Sequence, residues 1–211
     1  MTLAVVVLAA GASRRLGEPK ALARIGERTA LEHLADAARA GIPDGPRPLV
    51  VAGAHQAEIA AHVTAAALDV EVVHNVDWAL GRTGSVAAAA TARAGLDLLV
   101  APVDAPLVPD AVFATLVREW DTAESPATGW LAPATVRAAD GGGVERRFGH
   151  PVVLGRKLAR RTVSMPPDAP LRDVRGSAAP LLWVDVQSHA IHDDVDEPAD
   201  LGALRRRAAD G

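Results

Sequence analysis

Short apolar runs alternate with amphipathic segments over the first half of the chain. Residues 3–8 form an unbroken, valine-rich run, which is typical of a strand buried on both faces of a parallel sheet. Similar runs recur, and each is followed by a segment with apolar residues at helical spacing. The pattern predicts strands at 49–52, 70–73 and 96–103 and helices at 30–40, 56–68, 85–94 and 110–120, with Ser85 as the N-cap of its helix. Such alternation indicates βαβ units around a parallel sheet.

The second half of the chain departs from this alternation. Apolar segments at 130–136 and 148–154 flank a glycine-rich connection and predict an antiparallel pair of strands. A strand at 181–186 and a helix at 198–208 follow, whereas 169–175 fits neither pattern. We therefore expect one domain with a three-layer α/β/α Rossmann-like fold, in which a mostly parallel mixed sheet carries an insertion in its second half.

Composition excludes several classes of protein. The 211 residues contain no cysteine, which rules out disulfide frameworks, thiolate metal sites and cysteine nucleophiles. No stretch approaches the roughly 20 apolar residues of a membrane span, and the first residues lack the basic leader of a signal peptide. A net charge of -4 with scattered basic residues gives no cluster of positive charge of the kind that binds nucleic acid. We therefore expect a soluble cytoplasmic protein that binds neither nucleic acid nor membrane.

Individual residue types add to this picture. The chain has only two lysines, Lys20 and Lys157, against 20 arginines. Because a lysine ammonium is a compact point charge that fits among phosphate oxygens, a lysine retained despite that bias suggests a specific role. Trp120 and Trp183 are interpreted as core residues. The histidines outside the motifs below, among them His55, show no repeated metal-ligand spacing and are interpreted as structural.

The strongest local signal is the loop that follows the first strand. Residues 9–20 combine small residues, including Gly11, with Ser13, Arg15 and Lys20. A loop of this kind at the carboxyl end of a strand lets backbone amides approach an anion closely. The spacing fits neither a P-loop nor a dinucleotide fingerprint. Taken alone, it is equally compatible with a phosphate site and with an ordinary strand-to-helix connection.

Acidic residues supply the second signal. Asp104 follows the strand at 96–103 and should face the same edge of the sheet as the glycine loop, although it could also be a loop or capping residue. Asp194 and Asp196 lie two apart near the last helix, so on extended backbone both side chains would point to one face. Carboxylates placed in this way repel each other unless a cation lies between them, and Mg²⁺ accepts a few carboxylates together with water and phosphate oxygens.

Residues 8–20, which read L-A-A-G-A-S-R-R-L-G-E-P-K, resemble the L-A-A-G-x-S-x-R-M-G-x-P-K signature of the MobA-like nucleotidyltransferases. The similarity continues in order along the chain, at Asn75, Trp78, Gly81 and Ser85, at 103–108, at Gly149-His150-Pro151 and at 194–200. The L-A-A-G opening and the G-H-P element favour the molybdenum-cofactor cytidylyltransferase subgroup. The resemblance implies a single nucleotidyltransferase domain over 1–211, with a nucleotide-binding half at 1–104 and an acceptor-binding and metal-site half at 105–211.

The resemblance also implies roles for individual residues. The implied nucleotide-binding residues are Leu8, Ala9, Ala10, Gly11, Ser13, Arg15, Lys20 and Gly53. Those near the acceptor are Asn75, Trp78, Arg82, Ser85, Gly149 and His150. Arg15, Lys20 and Asp104 would be catalytic, and Asp104, Asp194 and Asp196 would coordinate Mg²⁺, with Mn²⁺ as a possible substitute. Arg82 and the segment 166–172 depart from the subgroup, which leaves the identity of the acceptor open.

The implied reaction moves CMP from CTP to the phosphate of molybdopterin, or of a similar phosphorylated acceptor, and releases pyrophosphate. A molybdoenzyme that receives the cofactor would then be a partner. One alternative is a transferase that uses GTP or another triphosphate on a different phosphate or sugar phosphate. A second alternative, from another class, is a non-catalytic nucleotide- or cofactor-binding chaperone.

Overall fold

A computed structural model describes residues 3–138 and 143–209 of the chain. The strands are β1 (Leu3–Ala9), β2 (Arg24–Ile25), β3 (Arg28–Thr29), β4 (Leu49–Ala52), β5 (Glu71–His74), β6 (Asp97–Pro102), β7 (Trp130–Ala138), β8 (Val144–Phe148), β9 (Val152–Leu154) and β10 (Leu181–Asp185). The α-helices are α1 (Ala30–Gly41), α2 (Gln56–Ala65), α3 (Arg82–Ala92), α4 (Asp110–Thr122), α5 (Arg156–Arg161), α6 (Leu171–Gly176) and α7 (Pro198–Ala209). Within these two ranges, no helix combines the length and the apolar character that crossing a bilayer requires.

One large sheet has the strand order β10-β7-β9-β6-β1-β4-β5, and β8 pairs with β7 outside this path. Strands β6, β1, β4 and β5 are mutually parallel, whereas β9 is antiparallel to both of its neighbours. The chain builds outward from β1 through β4 to β5 and then returns to place β6 on the other side of β1. The order therefore reverses between β1 and β6, and this is the point at which open α/β sheets bind ligands.

Helices cover both faces of the sheet. On one face, Leu34 of α1, Phe113 of α4 and Leu204 of α7 belong to one buried apolar cluster. On the other face, Val86 of α3 and Leu158 of α5 belong to a second cluster. The apolar runs of the central strands supply both clusters because alternate side chains of a strand point to opposite faces. The three-layer α/β/α fold with a mostly parallel mixed sheet is thus confirmed.

The predicted first-half elements agree with the structure within about three residues at their ends, but the residue predicted to cap α3 does not cap it. Its predicted N-cap, Ser85, lies inside the helix, which begins at Arg82. The prediction was wrong because the Ser85 side chain has another use: it is buried, and its Oγ accepts a hydrogen bond of 3.0 Å from Asn75 Nδ2. The Ser85 hydroxyl therefore ties α3 to the loop after β5 instead of capping the helix.

The predicted second strand of the antiparallel pair is divided in two. Strands β8 and β9 both pair with β7, but the six residues from Phe148 to Val153 oppose only the four from Leu131 to Ala134. The Gly149 N–H still donates to the Pro133 carbonyl of β7 at 2.9 Å, but the His150 N–H turns away from β7 and donates to the Ile191 carbonyl at 2.9 Å. This excursion carries His150 out of the sheet. The ambiguous segment at 169–175 contains all of α6 except its last residue, and the short helix α5 was not predicted.

The two tryptophans interpreted as core residues differ in the structure. Trp120 is buried, and its Nε1–H donates to Asp97 Oδ2 at 3.0 Å. Trp183 is 54% exposed, so its assignment to the core was wrong. It lies on β10, an edge strand of the sheet, where the Arg146 guanidinium lies over its ring at 5.8 Å from the centroid. A cation on an aromatic face stabilises this exposed ring without burying it.

Candidate active site

The largest group of candidate residues surrounds a cavity at the carboxyl ends of β1 and β6. The cavity has a volume of about 330 Å³. The loop after β1 forms one side, Asp104 after β6 forms another, and Asp196 approaches from the segment before α7. Its lining also includes His55, Ile59, Trp78, Arg82 and Ser85. The position matches the expected ligand crevice at the reversal of strand order.

The loop after β1 is folded onto itself around Ser13. Ser13 has a positive φ of 49°, and its carbonyl accepts hydrogen bonds from the amides of Leu16 and Gly17, both at 3.1 Å. Its hydroxyl accepts from the Lys20 amide at 3.0 Å. In the described part of the chain, no acceptor takes up the amides of Gly11, Ala12 and Ser13. Gly11 and Ser13 line the cavity, so their amides are available to an anion that enters it.

Lys20 joins two carboxylates at the centre of the site. Its Nζ donates to Asp104 Oδ1 at 3.0 Å and to Asp196 Oδ1 at 2.6 Å. Arg15 also donates to Asp196, and Arg82 Nη2 lies 3.7 Å from Asp104 Oδ2. Residues far apart in the sequence therefore meet in one network of cations and carboxylates. When a highly charged anion enters the cavity, the cations of this network can leave the carboxylates and pair with the anion instead.

The network shifts the pKa values of Lys20 and Asp196 in the directions that favour their charged forms. Burial alone lowers the pKa of the Lys20 ammonium, but the hydrogen bonds and charges of Asp196 and Asp104 outweigh it and raise that pKa above its usual value. The hydrogen bond from Lys20, followed by the charges of Lys20 and Arg15, lowers the pKa of Asp196 despite partial burial. Lysine and aspartate are therefore both ionised at neutral pH.

Most of the predicted nucleotide-binding residues line this cavity, and they are Leu8, Ala9, Ala10, Gly11, Ser13, Arg15 and Lys20. Gly53 does not line it but lies behind the loop. A Cβ built on Gly53 would collide with the Ala10 carbonyl oxygen and with Trp78 Cβ. Gly53 therefore has a packing role, since it lets the segment after β4 approach the loop closely enough for the Ala54 amide to donate to the Ala10 carbonyl at 3.1 Å.

The predicted acceptor residues do not all lie in one place: some line the first cavity, some line the second, and others pack behind them. Trp78, Arg82 and Ser85 line the first cavity, and Arg82 also lines a second cavity of about 510 Å³ together with His150. The floor of the second cavity is apolar, and its lining includes Arg172 and Arg175 from α6. Asn75 is buried and holds Ser85, so it organises the loop from behind. Gly149 packs against the Ile191 backbone, where a Cβ would collide.

His150 lines both the second cavity and a neighbouring cleft at 149–150 and 191–194. Its Nδ1 is buried and has no hydrogen-bond partner among the residues described. Burial, followed by the positive charge of Arg82, lowers the pKa of the His150 imidazole, while Asp104 opposes this shift. The ring is therefore neutral at neutral pH and presents one donor and one acceptor.

The three predicted metal ligands do not meet at one point. Across residues 3–138 and 143–209, no group of three His, Cys, Asp or Glu side chains is placed to hold a metal ion. Asp104 borders both the main cavity and the neighbouring cleft of about 230 Å³, whereas Asp196 borders only the main cavity and Asp194 only the cleft. Spacing predicted one shared face for Asp194 and Asp196. Their segment is not a strand, however, and the buried Val195 anchors it by donating from its amide to the Asp104 carbonyl at 3.1 Å.

The pair Asp104 and Asp196 nevertheless suits Mg²⁺. This ion commonly binds through one or two carboxylates and completes its octahedron with water and substrate phosphates. The two side chains are 20% and 31% exposed, so they are accessible from the cavity. The donor set therefore fits a divalent cation that arrives with a nucleotide, although it could not form a closed protein cage.

Sequence reasoning missed several residues around the two cavities. His55 and Ile59 line the first cavity, and Arg175 lines the second. Ile59 and Arg175 carry no local signature because each reaches its cavity only through the packing of its helix. His55 had a weak signal, since it lies three residues after the end of β4, on the same edge of the sheet as the glycine loop.

Comparisons with known proteins agree with this geometry. The family model described as the MobA-like NTP transferase domain matches residues 5–181. Over 86 residues, or 39% of this chain, the sequence is 44% identical to the bifunctional IPC transferase and DIPP synthase of Rubrobacter xylanophilus, of which the match covers 20%. The chain spans a quarter or less of the length of the curated relatives that it matches.

Two solved structures extend the comparison over the full chain. Rv0371c from Mycobacterium tuberculosis H37Rv is 24% identical, with a TM-score of 0.71 and coverage of 98% of both chains, and it has also been solved in complex with manganese. CMP:2-keto-3-deoxy-manno-octonic acid synthetase complexed with CTP is 13% identical, with a TM-score of 0.80 and coverage of 100% of this chain and 99% of that one. At these identities the similarity is one of fold.

Proposed function

This chain belongs to the family of MobA-like NTP transferases and is a nucleotidyltransferase, and we propose that it transfers CMP from CTP to the phosphate of molybdopterin or a similar phosphorylated acceptor. The observation that carries this proposal is the convergence of Lys20, Asp104 and Asp196 in a cavity that is also lined by Gly11 and Ser13, whose amides have no acceptor among the described residues. Cations and amides are the groups that bind a triphosphate, and carboxylates are the groups that bind its metal ion.

The nucleotide changes the charge balance of the site. Lys20 and Arg15 are paired with carboxylates in the protein alone. A triphosphate brings several negative charges of its own, so these two cations can turn toward its phosphates. The amides of Gly11 to Ser13 then hold the phosphate chain from the loop side. Lys20 and Arg15 stabilise the charge that develops on the departing pyrophosphate.

Asp104 and Asp196, released from Lys20, would hold a divalent cation. When bound, this ion neutralises phosphate charge and orients the reacting groups. We propose Mg²⁺ as the natural ion and Mn²⁺ as a substitute, which agrees with the manganese complex of Rv0371c. Asp194 lines a neighbouring cleft together with Asp104 and does not line the main cavity, so it would join Asp196 around one ion only if its segment moved.

The second cavity is proposed to hold the acceptor. It adjoins the first at Leu8, Arg82 and Pro102, which line both. Its apolar floor suits a flat ring system better than a hydroxyl-rich sugar, since apolar walls cannot satisfy buried hydroxyl groups. Arg82 lies where it could bind the acceptor phosphate and direct it toward the nucleotide. A molybdoenzyme receiving the product would then be the protein partner.

The chemistry requires positioning more than proton transfer. An oxygen of the acceptor phosphate attacks the α-phosphorus of the triphosphate, and the bond to the β-phosphate oxygen breaks to release pyrophosphate. A phosphate monoester has its second pKa near ~6 and is largely dianionic at neutral pH, so no general base is needed. The protein accordingly supplies cations, amides and carboxylates, and holds the two phosphates in line.

The choice of CTP rests on the L-A-A-G opening at 8–11 and on the Gly149-His150-Pro151 element, which favour the cytidylyl subgroup. The alternative substrates are GTP or another triphosphate, with a different phosphate or sugar phosphate as the acceptor. The second alternative, a chaperone that binds without turnover, is disfavoured because the site retains both the cations and the carboxylates that transfer needs.

A comparison of the four ribonucleoside triphosphates tests the nucleotide assignment. With Mg²⁺ present, we expect CTP to raise the thermal unfolding midpoint more than ATP, GTP or UTP, because a ligand that binds only the folded state stabilises it. Pyrophosphate release with the same four nucleotides and a panel of phosphorylated acceptors should show the same order. A larger shift and faster turnover with GTP would contradict the cytidylyl assignment.

A further inference from the structure

The segment that follows β4 holds the glycine loop at two carbonyl groups. The Ala54 amide donates to the Ala10 carbonyl at 3.1 Å, and His55 Nε2 lies 3.2 Å from the Ala12 carbonyl. The first contact is made by a backbone amide, and the second is made by the His55 side chain. The His55 contact joins α2 to the part of the loop that contains the amides of Gly11 to Ser13. It can therefore influence the direction in which those N–H groups point.

The His55 ring is itself held in a defined orientation. Its Nδ1 lies 2.8 Å from Glu58 Oε2, one turn further along α2. A backbone carbonyl can only accept a hydrogen bond, so the contact with Ala12 forms when Nε2 carries the hydrogen and donates it. His55 occupies the N-cap position of α2, but its side chain makes no capping bond to that helix. The two ring nitrogens thus connect α2, through Glu58, to the loop, through the Ala12 carbonyl.

The hydrogen bond at Ala12 has a consequence for the next residue. In a trans peptide the carbonyl of one residue and the amide of the next point in opposite directions. Holding the Ala12 carbonyl toward His55 therefore fixes the Ser13 N–H so that it points away from α2. Ser13 has a φ of 49°, a conformation that is sparsely populated for residues other than glycine and needs support from its surroundings.

We propose that His55 is a positioning residue of the nucleotide site, which fixes the peptide between Ala12 and Ser13 so that the loop amides are ready for the triphosphate. This inference rests on the proposed triphosphate site and assigns a role to a histidine that the reaction itself does not use. Because the loop amides hold the nucleotide before and during transfer, loss of His55 should weaken nucleotide binding more than it slows the chemical step.

Two substitutions separate the two ring nitrogens. His55→Gln places an amide N–H near the position of Nε2 and can still donate to the Ala12 carbonyl. His55→Asn places its amide near Nδ1 and cannot reach that carbonyl. We expect His55→Asn to raise both the Kd and the KM for CTP·Mg²⁺ by about tenfold, the effect of losing one hydrogen bond. Its kcat and its KM for the acceptor should stay within about twofold, while His55→Gln should retain a KM for CTP close to that of the unmodified protein.

The outcomes distinguish this role from a purely structural one. Equal KM values for CTP in the Gln and Asn variants, or a fall in kcat at unchanged KM, would overturn the proposal. Equal unfolding midpoints of the two variants show that a difference in KM does not come from lost stability. Isothermal titration with CTP·Mg²⁺ alone keeps the test independent of the acceptor. If the unmodified protein binds CTP without turnover, the proposed transfer fails, whereas the comparison of Kd values still decides the role of His55.

Discussion

Replacement of Lys20 by methionine is expected to reduce kcat/KM for pyrophosphate release by about a thousandfold, at the upper end of the loss seen when one charge-stabilising donor is removed. Methionine has nearly the length of lysine but no charge, so the change removes the cation and little else. Lys20 is the group that connects both carboxylates of the site, and the proposal transfers its charge to the triphosphate. Steady-state kinetics with saturating Mg²⁺ measure the effect.

The other lysine provides the matched control for this prediction. Lys157 lies exposed on α5, so Lys157→Met should leave kcat/KM unchanged. Lys20→Arg keeps the charge but replaces a compact ammonium with a planar fork, and it should lose activity clearly, though less than Lys20→Met. Unchanged kinetics in Lys20→Arg would show that the site needs a charge rather than a lysine, and unchanged kinetics in Lys20→Met would refute the role of Lys20.

Replacement of Asp104 by asparagine is the second large expected effect. We expect roughly a thousandfold loss of turnover and a much weaker dependence on Mg²⁺, since a bound metal ion contributes several kcal/mol to such reactions. The fold should be retained because the Asp104 side chain is accessible and its backbone carbonyl still accepts from the Val195 amide. Turnover measured across a Mg²⁺ titration, with circular dichroism as the check on folding, tests this prediction.

A control carboxylate shows whether the effect belongs to the site. Asp185 lies on β10, where it pairs with Arg146, and it lines neither of the two large cavities. Asp185→Asn removes one negative charge as Asp104→Asn does, but it should leave the Mg²⁺ titration unchanged. If Asp104→Asn retained the turnover and the Mg²⁺ dependence of the unmodified protein, Asp104 would not be a metal ligand.

The sequence predicts the central sheet well because its strands are buried on both faces. Runs such as 3–8 and 49–52 have no polar side chain, and this pattern depends only on local sequence. The irregular second half depends on distant contacts instead. The departure of His150 from the ladder is linked to the Ile191 carbonyl, and α5, at six residues with four cations, is too short and polar to show a period. Neither can be inferred from periodicity.

In the site, too, the sequence predicts the residues whose positions depend on local structure and misses those whose positions depend on distant contacts. Lys20 and Asp104 could be placed together because each follows a strand whose carboxyl end lies at the same edge of the sheet. Spacing could not predict that Asp194 and Asp196 line different cavities. The prediction of one shared face assumed extended backbone, whereas this segment is irregular. His55 was interpreted as structural because its partner, the Ala12 carbonyl, is a backbone atom 43 positions away with no side-chain signature.

The central claim, transfer of a nucleoside monophosphate to a phosphorylated acceptor, is tested most directly by following the α-phosphorus of the nucleotide. CTP labelled at that position is incubated with the protein, Mg²⁺ and the acceptor panel, and both the labelled products and pyrophosphate are quantified. The account predicts that the label appears in a pyrophosphate-linked product of one acceptor, with one pyrophosphate released for each label transferred. Label that appears only as free CMP, at a rate independent of every acceptor, would contradict it.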